Sequence, residues 1–331
     1  MLKFLVFADL HYKKGMYAAG VEHLQAILDR AVAEGVDFVI HMGDLCNDYK
    51  GSPELLNAYL QNNHGLAVYG IYGNHELESR GNTMEVVTPL LNNRPVTFCG
   101  SDVGYWYTDI KGYRLIGLDT NYSYCEATGQ WEHNREASWG APDGNIKKDS
   151  LSPRQLAWLE DVLEEGVKAN KKILLFSHAA FSGVMYPAPD AENVLELFGK
   201  YKGSVIMALN GHYHTDHFTL HDGVAYFDVN TVQNGYWAVN HEHHYEDHHT
   251  YSFTDYDGDG KPLGTQLRPL NTLTQGKNTW FFVEPLSAIV TIGEDGAITI
   301  EGSQTHWMHD IAPDAYKGKE VPGITSQNLQ V

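Results

Sequence analysis

Cysteine is scarce in this sequence: Cys46, Cys99 and Cys125 are the only three. They form no C-x-x-C pair and their number is odd. Neither a disulfide framework nor a structural zinc site follows from them. Basic residues are also few, 23 Lys and Arg against 42 Asp and Glu, for a formal net charge of −19. An acidic surface repels polyanions, so no nucleic-acid polymer is expected as a partner. Long apolar runs are missing as well. The start, MLKFLVFADLHYKKG, is apolar for only a few residues before Asp9. That is too short for a signal peptide's apolar region, and no run reaches the length of a membrane span. These absences predict a cytoplasmic protein that does not enter a membrane, and they leave its oligomeric state open.

Against these absences stand 331 residues, room for one large domain or two ordinary ones, and 18 histidines. Short apolar runs recur: LKFLVFA (2–8), VDFVIHM (36–42), LAVYGIY (66–72), KILLF (172–176) and SVIMALN (204–210). Each has the length of a buried strand. Helical patterns lie between them. Leu24, Ile27, Leu28 and Ala31 share one face before Gly35. Leu55, Leu56, Tyr59 and Leu60 follow a Ser52-Pro53 start. Leu156, Leu159, Val162, Leu163 and Val167 follow Ser152 and Gln155 at capping-box spacing. A further helix is predicted over 191–201. The opening β-α-β-α-β order predicts parallel strands with right-handed crossovers.

Further strands are predicted near 96–98, 105–109 and 113–118. HFTLHDGVAYFDV reads as a hairpin turned at Asp222-Gly223. Residues 240–279 are polar and turn-rich, and WFFV, SAIVTI and AITIEG read as closing strands. No internal repeat or linker appears. The expectation is one domain over 1–331, with an inserted or capping segment at about 240–285.

The polar residues that close the buried strands matter most. They are Asp9-Leu10-His11, Gly43-Asp44, Gly73-Asn74-His75-Glu76, Ser177-His178 and Gly211-His212-Tyr213-His214. Apart from Glu76, these five ends supply eight Asp, Asn and His side chains. Open α/β sheets place ligands at the C-terminal ends of strands. Mixed imidazole and carboxylate donors suit zinc, iron or manganese. Any one of these residues alone reads as a turn, cap or solvated residue; the set is hard to explain that way.

The series DLH, GD, GNHE, SH and GHYH resembles the calcineurin-like metallophosphoesterase superfamily over about residues 1–230. The resemblance implies an α/β fold, a four-layer α/β/β/α sandwich with two mixed β-sheets. It implies two divalent or mixed-valence transition-metal ions, Mn, Fe or Zn, at the strand ends. One would be held by Asp9, His11, Asp44 and His214, the other by Asp44, Asn74, His178 and His212, with Asp44 bridging. His75 would face the substrate. Its ordinary pKa of about 6.5 suits it to protonate a leaving oxygen near neutral pH. Only Asp9 and Asp44 are anionic, so two divalent ions leave about +2 to attract a phosphate ester.

The implied activity is metal-dependent phosphate-ester hydrolysis, read as a phosphodiesterase on a small or nucleotide-like substrate. A phosphomonoesterase, nucleotidase or protein-phosphatase-like, and a non-catalytic scaffold are the alternatives. Protein Ser/Thr phosphatases carry Asp-Arg after GD and Arg before GNHE; here the stretches are GDLCND and IYGNHE. Purple acid phosphatases place a tyrosine ligand where Asn47 stands. The motif set resembles class III cyclic-nucleotide phosphodiesterases more.

Other residues keep two readings. Glu76 either supports the site or is a surface residue after a turn. His41 is a core or supporting histidine. Asp119 either orients a ligand or substrate or caps a turn, and Cys46 is a packed thiol. HEHHYEDHH (241–249) is a third metal site, a substrate rim or a solvated loop. DYDGDGKPLGTQ (255–266) begins like a calcium loop but has Gln266 where the bidentate Glu belongs; it reads as a β-turn.

Overall fold

A computed structural model of the chain describes residues 1–12, 20–47, 53–61, 64–77, 83–100, 104–133, 150–182, 187–233, 236–237, 245–256, 261–272, 279–313 and 322–330. The first third contains β1 (Leu2–Phe7), α1 (Gly20–Ala33), β2 (Phe38–His41), α2 (Pro53–Gln61), β3 (Ala67–Gly70) and α3 (Met84–Val87). The middle adds β4 (Thr97–Phe98), β5 (Trp106–Ile110), β6 (Tyr113–Gly117), β7 (Tyr122–Cys125), β8 (Gln130–His133), α4 (Pro153–Lys168), β9 (Lys172–Ser177) and α5 (Ala191–Lys200). Then come β10 (Val205–Asn210), β11 (His217–His221), β12 (Val224–Asp228), β13 (Tyr236–Trp237), β14 (Thr250–Tyr256), β15 (Pro262–Pro269), β16 (Thr279–Trp280), β17 (Ala288–Ile292), β18 (Ala297–Gly302) and β19 (Gln327–Gln330).

Two large mixed sheets carry the fold. One is ordered β19-β18-β17-β1-β2-β3 and the other β11-β12-β10-β9-β6-β5-β4. In the first, β1, β2 and β3 run parallel, as the β-α-β-α-β pattern predicts, and β1 pairs antiparallel with β17. In the second, β6, β9, β10 and β12 are parallel neighbours. Strand alternation sorts the layers. Phe4, Val6 and Ala8 pack against Leu174, Phe176, Met207 and Leu209 between the sheets. Leu5 and Phe7 turn the other way, onto Leu24, Ile27 and Leu28 of α1 and Leu55 and Tyr59 of α2. Ile173 and Leu175 meet Leu159 and Leu163 of α4 and Val194 and Phe198 of α5. The result is the four-layer α/β/β/α sandwich. Each fully buried side chain of this kind contributes roughly 1.5–3 kcal/mol.

Local expectations hold with exceptions. Asp222 and Gly223 both take positive φ, 51° and 79°, as a two-residue hairpin turn requires. Ser152 Oγ caps α4 by accepting from the Gln155 N–H at 3.2 Å. Only half of the capping box forms, because the Gln155 side chain bonds the Asp119 backbone instead. Val167 faces solvent. Gly166 takes the buried position beside Arg114 and Ile173, where a Cβ would meet both side chains. WFFV is not a closing strand: only its Trp280 is in β16, a two-residue strand paired with β13. The stretch 240–279 is less irregular than its composition suggests, since β14 and β15 form an antiparallel ribbon. The β7–β8 ribbon and the edge strand β19 were not foreseen. Ser52 and residues 257–260 of the calcium-like stretch lie outside the described residues. Among the described residues no helix is long and apolar enough to cross a membrane.

Candidate metal centre

The parallel strands of both sheets deliver their ends to one place. Asp9 lies two residues beyond β1, and its carboxylate accepts from the backbone N–H of His212 beyond β10, at 3.2 and 3.0 Å. His178, directly after β9, donates from Nδ1 to the Met42 carbonyl beyond β2 at 2.7 Å. The backbone bends sharply to aim these side chains. Asp9, His11, Asp44, His212 and His214 all have φ between 51° and 73°. Only ten non-glycine residues among those described have positive φ, and half of them are these five. Such conformations cost on the order of 1–3 kcal/mol each and cluster at functional sites. Gly43 (φ 92°) and Gly73 belong to the same turns. A Cβ on Gly43 would come within 2.5 Å of His178 Nδ1, and one on Gly73 would collide with Asp44.

The donors form clusters. Nε2 of His11 and Nε2 of His214 are 3.0 Å apart, and Asp9 Oδ1 lies 3.5 Å from His214 Nε2 and 3.8 Å from His11 Nε2. On the other side, His178 Nε2 lies 3.2 Å from His212 Nδ1, Asn74 Oδ1 and Asp44 Oδ2. Asp44 Oδ2 is also 3.6 Å from His11 Nε2 and 3.9 Å from His75 Nε2. Donors 2.0–2.1 Å from one tetrahedral ion stand about 3.3 Å apart, so these spacings fit shared coordination. Three groups have metal-binding spacing: Asp9–His11–His214, His11–Asp44–His75 and Asp44–His178–His212. All seven expected ligands are brought together. His75 joins them more closely than a residue facing only substrate needs to, and its backbone N–H donates to Asp44 Oδ1 at 2.9 Å.

Burial sets the charges. It pushes His11 down to about 3 and His212 down to about 4, which keeps both rings neutral and able to donate a lone pair. Burial opposes charge on Asp9 and Asp44 too, but neighbouring histidines, His214 for Asp9 and His178 for Asp44, hold both carboxyls below the usual range. Burial also opposes a charged His178, yet Asp44 and Asp9 raise it to about 10.

The sequence profile of the calcineurin-like phosphoesterases matches residues 2–216. The chain belongs to this family. It is a metal-dependent phosphoester hydrolase, and its family uses a dinuclear metal centre. Its fold is similar to that of a dimetal phosphatase from Danio rerio, with TM-score 0.58 and 14% identity, covering 93% of this chain and 98% of that one. A putative 5′-nucleotidase from Staphylococcus aureus gives TM-score 0.45 and 17% identity over 81% of this chain and 54% of that one. A purple acid phosphatase from yellow lupin (Lupinus luteus) gives 0.47 and 13% over 93% and 52%. No curated protein matches the chain in sequence.

Around the phosphoesterase donors stands a supporting layer. Glu76 is fully buried, which overturns the surface reading. Its Oε2 accepts from the N–H of Asp44 at 2.9 Å and from that of Gly73, and Oε1 accepts from Leu45 at 2.7 Å. It therefore ties the GD turn to the GNHE turn. Burial and the Asp44 charge push its carboxyl up to about 7. His41 is fully buried, and burial pushes it down to about 3; its Nδ1 accepts from the Gly43 N–H at 3.2 Å. It props the GD turn and does not reach the donors.

Asp119 does cap a turn, accepting from the Asn121 N–H at 3.0 Å, but it also meets His133 at 2.9 Å. Sequence reasoning missed His133, Asn47, whose Oδ1 is 3.3 Å from His11 Nδ1, and Thr231, whose hydroxyl donates to the Asp9 carbonyl at 2.7 Å. No motif marks His133 or Thr231, and Asn47 stands out only as the position where purple acid phosphatases carry a tyrosine ligand. Cys46 is buried in the apolar cluster over α1 and α2. Of the histidine-rich stretch, 241–244 lie outside the described residues. His248 and His249 have ring centroids 4.3 Å apart, and His249 stacks on His309 at 4.7 Å. His249 Nδ1 already accepts from the Glu246 N–H at 3.0 Å.

Proposed function

We propose that this phosphoesterase hydrolyses phosphodiesters of small or nucleotide-like alcohols. The two ions would be held by Asp9, His11, Asp44 and His214 and by Asp44, Asn74, His178 and His212. The observation that carries this reading is the convergence of two donor clusters on the one carboxylate of Asp44. Bound divalent ions supply Lewis-acid polarisation of the phosphoryl oxygens and acidify water. The chain's own residues do the rest. His178 presents Nε2 because Nδ1 is committed to Met42. Asn47 steadies the His11 ring, and Glu76 holds both turns in register. His75 delivers a proton from Nε2 to the leaving oxygen. The segment around β14 and β15 caps the centre and sets substrate preference.

The formal net charge of −19 repels a doubly charged ester more than a singly charged one. A monoester approaches a double negative charge near pH 7, since its second pKa is about 6, and a diester carries one. The test compares bis-p-nitrophenyl phosphate with p-nitrophenyl phosphate on the metal-loaded protein. Faster turnover of the diester is expected, and exclusive monoester turnover would make the protein a phosphomonoesterase.

A further inference from the structure

His133 and Asp119 form a buried pair that the reading above leaves unused. Asp119 Oδ1 accepts from the backbone and side-chain N–H groups of Asn121 at 3.0 and 2.9 Å, and Oδ2 lies 2.9 Å from His133 Nε2. Gln155 fixes the Asp119 backbone: Oε1 accepts from its N–H at 2.9 Å, and Nε2 donates to its carbonyl at 2.7 Å. An ionised carboxylate only accepts, so Nε2 of His133 carries a proton, and in the neutral ring Nδ1 then keeps a lone pair. The His133 side chain is 4% exposed, and Nδ1 is buried without a hydrogen-bond partner. Leaving such an acceptor buried and unmatched is destabilising, and a ligand hydroxyl would satisfy it.

Contacts link the pair to the turns that carry the centre. The His133 ring meets Tyr72 and Tyr122 edge-on, with centroids 6.1 and 4.8 Å away. Tyr72 immediately precedes Gly73-Asn74. Thr120, the residue after Asp119, accepts from the N–H of Ala179 at 3.2 Å, next to His178. The geometry points to His133 as a substrate-binding residue. Its Nδ1, oriented by Asp119, accepts a hydrogen bond from a hydroxyl on the alcohol esterified to the phosphate. Preferred substrates are then esters of polyols, sugars or nucleosides rather than of simple alcohols. This rests on the phosphoesterase reading of the neighbouring centre.

The experiment uses the full chain loaded with Mn²⁺. It compares kcat/KM for glyceryl and propyl esters of phosphate, each as the monoester and as the methyl diester. The wild type should favour the glyceryl ester about tenfold, the size of one net hydrogen bond. His133→Ala should bring the glyceryl ester down to the propyl level, mainly through KM, with metal content per chain unchanged. Asp119→Asn is the isosteric second variant. An amide N–H facing Nε2 moves the ring proton to Nδ1, and the glyceryl preference should fall again. No glyceryl preference in the wild type, a ratio unchanged in both variants, or an equal loss for both esters would overturn the assignment. A wild type inert to all four esters would instead overturn the phosphoesterase reading beneath it.

Discussion

The strand-end centre and the β14–β15 ribbon are built on opposite terms. At the centre, Asp9, Asp44 and His178 are buried and tied to backbone groups from both sheets. Five of its donors hold backbone conformations that L-residues seldom adopt. On the ribbon, Leu263 and Leu267 are 68% and 71% exposed. An isolated two-stranded ribbon is marginal in water. The anchorage at its base is a small cluster of Tyr245, Tyr251, Leu270 and Phe281. Strain persists only where the surroundings over-determine it. The centre has such surroundings and the ribbon does not. Chemistry needing fixed donors therefore suits the first region, and adaptable recognition suits the second.

The sharpest way to break this contrast is Asp44→Asn. Metal and turnover should be lost together, by more than the roughly 10–100-fold that removing a supporting residue costs. Metal analysis beside hydrolysis rates checks it, and a fully active variant would remove Asp44 from between the clusters. His75→Ala should keep both metals while kcat falls about 10²–10⁴-fold, most for poor leaving groups. An equal loss across leaving groups would argue against the proton-donor role. Glu76→Gln should weaken metal binding about 10–100-fold and lower the melting temperature. Its amide sets an N–H against backbone N–H donors, and metal titration reads the effect.

On the ribbon side, deleting 241–249 should change the ranking of a phosphate-ester panel several-fold while metal content stays constant. A variant that loses metal would erase the distinction between the regions. The smallest expected effect lies behind the centre, at Asp228, which bonds Asn210 just before Gly211-His212. Burial raises its carboxyl from 3.8 to about 7. The folded state therefore favours the protonated form, and stability falls as pH rises from about 4 through 7. Asp228→Asn should melt a few degrees higher than wild type above pH 7, with the gap closing toward pH 4. Melting curves across that range decide it.

The sequence by itself determined the buried strands and the polar residues at their ends, and its family motifs implied the sandwich. Short continuous apolar runs marked the strands as buried, and the β-α-β-α-β order fixed the parallel pairing of β1, β2 and β3. Residue type at the strand ends marked eight Asp, Asn and His side chains as candidate donors, and the resemblance of their motifs to the phosphoesterase family divided them into Asp9, His11, Asp44, Asn74, His178, His212 and His214 as ligands and His75 as the residue facing substrate. Irregular-looking polar stretches hid the β7–β8 and β14–β15 ribbons, where cross-strand pairing matters more than periodicity. Tertiary structure alone decided what Glu76 does, since three backbone N–H groups from two turns meet it only once β2 and β3 pair. It alone joined His133 to Asp119 and turned Gln155 from a helix cap into a clamp. Such partners, from 3 to 36 residues apart, are set by how strands pair and turns approach, and no local pattern encodes those distances.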